Sequence, residues 1–148
     1  MKSRFLSILM GLGLVVLIAG CSTFGHRESD QVTLQRYLDY AQPPVKSFSY
    51  LGRLDGWRAL GRNHLAVWTS PGKAYLLTVA GPCQDLPFAN RVGLTSTGST
   101  VSTGFDAVTL RRGERCMITE IRPVDYKQLK ADERETRQAA KKSDTKAE

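Results

Sequence analysis

The sequence is poor in the residues and motifs from which catalytic, metal and cofactor sites are usually built. Its 148 residues include only three cysteines and two histidines, His26 and His64. Neither histidine lies at metal-ligand spacing from a cysteine or from the other histidine. Gly-x-Gly-x-x-Gly, Walker A, Cys-x-x-Cys and Gly-x-Ser-x-Gly motifs are absent. The sequence therefore predicts no catalytic residue, no metal site and no bound cofactor.

The chain is positively charged but contains no nucleic-acid-binding motif. The formal net charge is +7, but no RRM, KH or helix-turn-helix pattern is present, so no nucleic-acid partner is predicted. A solvated surface is the simplest interpretation of this charge. Attraction to anionic lipid or to a cell-wall polymer is the alternative.

The first twenty residues have the pattern of an export signal. Lys2 and Arg4 form a positive start, residues 5–18 form an apolar stretch, and Ala19-Gly20 supplies the small residues that a peptidase requires before its cut. An uncleaved transmembrane anchor over residues 5–25 is the alternative, because this stretch is uncharged and just long enough to span a bilayer. In both interpretations the rest of the chain lies outside the cytoplasm.

The end of this segment resembles a known processing motif. Ile18-Ala19-Gly20-Cys21 is similar to the lipobox of bacterial lipoproteins, with Ile18 where leucine is more common. The resemblance implies cleavage after Gly20 and a lipid on Cys21, so the first partner expected is a membrane. Two or three acyl chains anchor a protein stably, whereas one binds only marginally. Ser22, in place of aspartate, implies the outer membrane and a domain that faces the periplasm.

Two further cysteines, Cys83 and Cys116, form an even pair in an oxidising compartment. We therefore predict a disulfide between them. Closing a loop of this length contributes roughly 3.5–4 kcal/mol to stability. Two buried free thiols are the alternative, and a redox-active pair is disfavoured because Cys-x-x-Cys is absent.

Turn signals divide the middle of the chain into short apolar segments of strand character. About seven such segments between Lys46 and Pro123 predict a mainly β fold, a small antiparallel meander that curls into a barrel or sandwich. A helix is predicted over 31–41, capped by Ser29 or Asp30. The expected divisions are a signal peptide (1–20), a lipidated tether with a short helix (21–45), a disulfide-linked β domain (46–125) and a charged, partly helical tail (126–148).

The turn residues also predict which strands pair. Asp-Gly and Pro-Gly pairs are typical of hairpin turns. The predicted pairings are a hairpin turned by Asp55-Gly56, a hairpin over 64–80, a weaker pair of Arg91–Thr97 with Ser99–Phe105, and a last pair of Ala107–Leu110 with Arg115–Arg122 that Pro123 closes.

The body of the chain shows a second resemblance. Its core residues are similar to those of an uncharacterised family of small proteobacterial lipoproteins, over about residues 45–125. The resemblance implies a compact β domain with the Cys83–Cys116 pair, and it implies no catalytic residue. The segments that carry it are Gly56-Trp57, Leu65-Ala66-Val67-Trp68-Thr69, Tyr75-Leu76-Leu77, Gly81-Pro82-Cys83 and Cys116-Met117-Ile118.

A few residues could still carry chemistry or binding. His64 with a nearby carboxylate could act in a hydrolase, although Asp55 and Asp106 are more simply explained as partners of turn backbone. Trp57 and Trp68 could form an aromatic platform for a sugar or lipid, or pack as core anchors. The segment 95–104, rich in Ser, Thr and Gly, could contact a ligand or form an exposed hairpin. The remaining carboxylate near a turn is Asp85.

An anchor without a catalytic constellation favours a binding role. The leading expectation is a non-enzymatic cell-envelope lipoprotein that binds an envelope protein or a cell-wall polymer at the outer membrane. A periplasmic hydrolase that uses His64 is one alternative. A small-ligand carrier that uses the mouth of the β-barrel is the other.

Overall fold

The computed structural model describes residues 29–146, with side chains as far as residue 142. The predicted signal peptide, the lipidation site Cys21 and most of the tether lie outside the described residues. None of the helices described combines the length and the apolar character that crossing a membrane requires.

Helix α1, Asp30–Asp39, begins where the sequence places a cap. The Ser29 hydroxyl accepts a hydrogen bond from the backbone N–H of Val32, which satisfies one of the free N–H groups at the helix start. The helix ends two residues before the predicted position 41, because the backbone at Ala41 leaves the helix to pair with Val124 of the last strand.

Eight strands lie in the described part of the chain. They are β1 (Ser47–Ser49), β2 (Gly56–Ala59), β3 (His64–Ser70), β4 (Lys73–Val79), β5 (Val92–Leu94), β6 (Thr100–Ser102), β7 (Ala107–Leu110) and β8 (Arg115–Val124). Six of them form a barrel-like antiparallel sheet in the order β2-β3-β4-β8-β7-β5, and β1 pairs with β6 in a two-stranded ribbon. The predicted mainly β, antiparallel class is confirmed.

The hairpin of β3 and β4 forms as predicted. Ser70 lies opposite Lys73, so Pro71 and Gly72 alone make the turn. Gly72 has a φ of +84°, the conformation that the third position of a type II turn requires. The last predicted pair, β7 with β8, is also confirmed.

Two predicted pairings are wrong. Asp55-Gly56 turns no hairpin with the preceding strand, because β1 pairs with β6 instead. Residues 91–97 and 99–105 meet only at a bridge between Thr97 and Thr100, because β5 pairs with β7. The β1–β6 pairing places Phe48 opposite Val101 and buries both side chains, which the local hairpins would not achieve.

Strand β8 is the centre of the fold. One of its edges pairs with β4, and the other meets β7 and then the backbone at Val45 and Ala41. A shift in register at Thr78 leaves Thr119 as an extra residue in β8. This bulge places Ile118 and Ile121 on the same buried face although they are three residues apart.

Pro123 does not close β8, contrary to prediction. The strand continues to Val124, and Tyr75 of β4 lies opposite Pro123. The Pro123 carbonyl accepts a hydrogen bond from Gln42 on the other side of the strand. Because the N–H and C=O of one strand residue point the same way, the missing N–H affects only that side and leaves the ladder with β4 intact.

Helix α2, Tyr126–Lys146, follows β8 after a single residue, Asp125. Leu129 is 1 % exposed, whereas every side chain from Arg134 to Lys142 is exposed. The tail is therefore charged and solvated as predicted, and its helix continues to Lys146, farther than the partial helix that is predicted.

The six-stranded sheet is covered on both faces. One face packs with the β1–β6 ribbon, where the ring of Phe48 stacks on Tyr75 at 4.3 Å between centroids. The other face carries the alternate side chains of β3 and β4, and α1 and α2 cover it. The buried residues of this second cluster are Tyr37, Leu60, Ala66, Ala74, Leu76, Val124 and Leu129.

Candidate functional site

The predicted disulfide is present. Cys83 and Cys116 are bonded across a separation of 33 residues, with 5.9 Å between their Cα atoms. The bond joins the loop after β4, which contains a short 3-10 helix (Leu86–Phe88), to the start of β8. Both half-cystines are buried in the core on the Phe48 and Tyr75 face of the sheet, which we call the first core cluster, so the bond is part of the domain's interior.

Glu114 lies beside this disulfide. One carboxylate oxygen accepts a hydrogen bond from the backbone N–H of Gln84 at 3.0 Å, and the other accepts from Asp85 at 3.1 Å. Ligand atoms of Cys83, Cys116 and Glu114 lie within 4.8 Å of one another. Because the two sulfurs are bonded to each other, they offer no thiolate, and Glu114 acts as a clamp on the loop.

His64 lies at the start of β3, where the structure brings a different carboxylate near it from those that the sequence suggested. Thr78 lies opposite His64, and Glu120 lies opposite Thr78 on the next strand. Burial lowers the pKa of the imidazole, and the Glu120 carboxylate acts in the opposite direction. Glu120 itself pairs with Arg122 at 2.7 Å. No hydrogen bond joins the imidazole to a carboxylate or hydroxyl in residues 29–142.

The three aspartates near turns have different roles. Asp106 is 4 % exposed and accepts hydrogen bonds from the Thr95 hydroxyl and the Ser102 N–H, both at 2.8 Å. Its predicted role in the turn is confirmed. Asp55 and Asp85 use their backbone N–H groups, which donate to the Trp68 carbonyl and to Glu114, and within residues 29–142 the Asp55 carboxylate does not make the turn bond that is expected of it.

The two tryptophans pack as core anchors, and they do not form a joint platform. Trp57 of β2 lies opposite Val67, and Gly56 lies opposite Trp68, so the two indoles point to opposite faces of the sheet. Trp57 packs against the first core cluster, and Trp68 packs against the second. The segment 95–104 divides between β6 and an exposed turn at residues 96–99, which agrees with the exposed-hairpin interpretation.

A groove of about 900 Å³ lies between α1 and α2, above Trp68 of β3. We call it the interhelical groove. The helices are joined across it by hydrogen bonds from Tyr40 to Asp132 and from Arg36 to Glu133. The lining side chains are Val32, Gln35, Arg36, Tyr37, Asp39, Tyr40, Arg58, Trp68, Tyr126, Leu129, Lys130, Asp132, Glu133, Thr136, Arg137 and Ala140.

Three aromatic rings form the floor of the interhelical groove. Trp68 lies between Tyr37 and Tyr126, edge-on to each, at 6.3 and 5.3 Å between ring centroids. The Lys130 ammonium lies 5.4 Å from the centre of the Tyr126 ring. Tyr37 is buried, whereas Trp68 and Tyr126 are half-buried and leave part of their surface open to the groove.

The floor holds a polar group without a partner. The indole N–H of Trp68 is buried and makes no hydrogen bond within the described part of the chain. A buried donor without an acceptor costs about 1–3 kcal/mol. Burial raises the pKa of the neighbouring Tyr37 hydroxyl to about 12, so this group is also a neutral donor at physiological pH.

Charges of both signs line the rim of the interhelical groove. Glu133 accepts from Arg36 at 3.5 Å and from Lys130 at 3.1 Å, and the hydrogen bond with Glu133 raises the pKa of Lys130. Arg58 of β2 donates to the Thr33 hydroxyl at 3.3 Å. The groove thus combines half-buried aromatic rings, two neutral donors in its floor and charges of both signs on its rim.

Sequence reasoning did not find the interhelical groove. Its walls come from α1 and α2, whose contacting residues Arg36 and Glu133 are 97 positions apart. Of its lining, the sequence draws attention only to Trp68, because Tyr37 and Tyr126 lie in two helices far apart along the chain. The signal in the sequence is aromatic character alone, shared by Trp68, Tyr37 and Tyr126.

Comparison with known proteins identifies a family whose function is unknown. No curated protein and no solved structure matches the chain. The expected membership of an uncharacterised family is confirmed: over residues 1–140, the chain belongs to the family of unknown function DUF6491.

Proposed function

We propose that the protein is a non-enzymatic lipoprotein of a proteobacterial cell envelope, anchored through Cys21 at the outer membrane. In this proposal the β domain faces the periplasm, and the interhelical groove binds the partner. The observation that carries the proposal is the buried, unpartnered indole N–H of Trp68 in an aromatic floor. Because this N–H is buried in the free protein, the ligand must shift the Trp68 ring to reach it, and an acceptor supplied there would then remove the cost of leaving the donor unpaired.

A cell-wall polymer fits the interhelical groove better than a neutral small molecule does. Sugar rings pack on aromatic side chains such as Tyr126 and Trp68, and their hydroxyl and amide oxygens accept hydrogen bonds. The peptide parts of such a polymer carry both carboxylates and amines. The rim carries Arg36, Lys130 and Glu133 as ion pairs, so a carboxylate or an amine of the polymer would bind by exchanging with these pairs.

The test is binding of the full-length chain to isolated, insoluble cell wall. Trp68→Phe removes the indole N–H and keeps an aromatic ring, and we expect about tenfold weaker binding, which corresponds to the loss of one well-placed hydrogen bond. Tyr37→Phe removes the second donor and should weaken binding to a similar extent. Trp57→Phe, on the other face of the sheet, is the matched control and should bind as the parent does.

Two outcomes would contradict the proposal. Unchanged cell-wall binding by both groove variants, with thermal unfolding close to that of the parent, would exclude the interhelical groove as the site. An intact Met1 in the mature product, found by mass spectrometry, would exclude the Cys21 anchor. Crosslinking in living cells followed by mass spectrometry would show an envelope protein as partner if the polymer is not the ligand.

A hydrolase that uses His64 is the second candidate, because Glu120 lies close enough to act on the imidazole pKa. His64→Ala separates the two proposals. The binding proposal expects unchanged cell-wall binding and an unchanged cellular phenotype. Loss of the phenotype with unchanged thermal stability would favour the enzyme.

A further inference from the structure

One face of α2 carries five basic side chains in a row. Lys127, Lys130, Arg134, Arg137 and Lys141 recur at alternating spacings of three and four residues. With 3.6 residues per turn, they fall within about 80° of arc and extend over about 21 Å of helix. We call this row the basic ridge.

Two acidic residues of α2 are engaged with α1. Asp132 and Glu133 point toward α1, where they meet Tyr40 and Arg36. Glu133 also reaches Lys130 at 3.1 Å, so the proximal end of the basic ridge is partly neutralised. The distal members Arg134, Arg137 and Lys141 are exposed and lie beyond the part of α2 that packs on the sheet.

The two helices run antiparallel, which places the N-terminal side of the domain at the distal end of the basic ridge. Tyr40, at the end of α1, contacts Asp132, whereas Val32, near its start, lines the groove together with Arg137 and Ala140. The start of α1 therefore lies beside the second half of α2. Cys21 precedes Ser29 by eight residues, a stretch that spans at most about 28 Å.

We propose that the basic ridge docks the domain on the anionic phospholipid headgroups of the membrane that holds its lipid. The inference rests on the proposed Cys21 anchor, which would keep the distal half of α2 within reach of that surface. Each basic residue close to an anionic bilayer strengthens binding about fivefold, and salt screens the attraction over about 10 Å. The ridge thus sets the orientation of the domain, while the lipid sets its attachment.

The test uses the full-length chain in vesicles of phosphatidylcholine alone and of phosphatidylcholine with phosphatidylglycerol. A fluorophore on Ala139→Cys reports its distance to a headgroup dye by energy transfer. We expect greater transfer in the anionic vesicles, lost at high salt. Neutralising three distal residues together (Arg134→Gln, Arg137→Gln and Lys141→Gln) should reduce transfer to the neutral-vesicle value. The matched control (Arg53→Gln, Arg91→Gln and Arg112→Gln) changes the net charge equally and should retain the difference.

The outcomes separate the ridge from the anchor. Equal transfer in both vesicle types, or equal loss in the ridge variant and the control, would overturn docking by the ridge. Mass spectrometry of the same sample reports the lipid on Cys21, so a failed anchor is seen independently. If the lipid is absent, the Cys21→Ser chain is floated with each vesicle type. Salt-sensitive flotation with anionic vesicles, weakened on the order of a hundredfold in the ridge variant, supports the ridge, and its absence refutes it.

Discussion

Removing the disulfide by combining Cys83→Ala with Cys116→Ala should lower the free energy of unfolding by about 4 kcal/mol. The bond spans a separation of 33 residues, and the chain-entropy relation for a loop of that length gives about 3.8 kcal/mol at 25 °C. Small domains have total stabilities of about 5–15 kcal/mol, so this one bond contributes a large share.

The folded structure around the lost bond should persist. The loop after β4 is also held by the Cys83 N–H, which donates to the Arg62 carbonyl at 2.9 Å, and by Glu114, which accepts from two backbone N–H groups. The effect of the variant should therefore come chiefly from the unfolded chain, which gains freedom when the loop is open.

Urea unfolding followed by circular dichroism measures this effect. With a slope of about 2 kcal/mol per molar urea, the midpoint should fall by about 2 M, and the slope should rise because the open unfolded chain exposes more surface. The parent chain reduced with a phosphine should unfold near the variant's midpoint. A midpoint shift below about 0.5 M, at an unchanged slope, would refute the loop-entropy reasoning.

Three further predictions test the packing of the helices and the sheet. Leu129→Ala should lower the free energy of unfolding, measured by thermal unfolding, by about 3 kcal/mol. Leu38→Ala, on the exposed face of α1, should lower it by less than about 1 kcal/mol. Equal losses in the two variants would contradict docking of α2 through Leu129. Because the folded-state pKa of Tyr37 is raised to about 12 from 10, the free energy of unfolding should fall as pH rises from 10 to 12. Tyr37→Phe should abolish that component of the decline. An identical pH profile of stability in the variant would refute this linkage. Gly93→Ala would place a Cβ 2.7 Å from the Thr109 hydroxyl and should cost about 1–3 kcal/mol, part of which Thr109→Ala should restore; no coupling between the two changes would contradict this contact.

The sequence was a good guide wherever the structure depends on neighbouring residues. The β3–β4 hairpin is specified by alternating apolar residues and by Pro71-Gly72, which fits a type II turn. The cap of α1 likewise depends on Ser29 alone. The disulfide could be predicted without knowing the fold, because Cys83 and Cys116 were the only pair left after Cys21 was assigned to the lipid.

Long-range pairing could not be predicted in this way. The ribbon of β1 and β6 forms because Phe48 and Val101 lie opposite each other and are buried together in the first core cluster. Nothing in the sequence near either residue indicates that the two will pair. The prediction that strand β8 ends at Pro123 was wrong for a related reason. Whether a proline interrupts a strand depends on which side its missing N–H faces, and that side is set by the partner segments.

The candidate site follows from the junction between β8 and α2. A single residue, Asp125, separates them, so the direction in which α2 leaves the sheet is fixed by the end of β8. The Asp125 N–H donates to the Tyr40 carbonyl, which ties that junction to the end of α1. Leu129 is buried one turn later in the second core cluster, so it holds the start of α2 on the sheet and lines the interhelical groove. A charged tail with two apolar residues near its start therefore forms both one wall of the groove and, beyond it, the basic ridge. Any change that frees Leu129 from the sheet should impair cell-wall binding and membrane docking together, whereas changes at Trp68 or at Lys141 should impair only one of them.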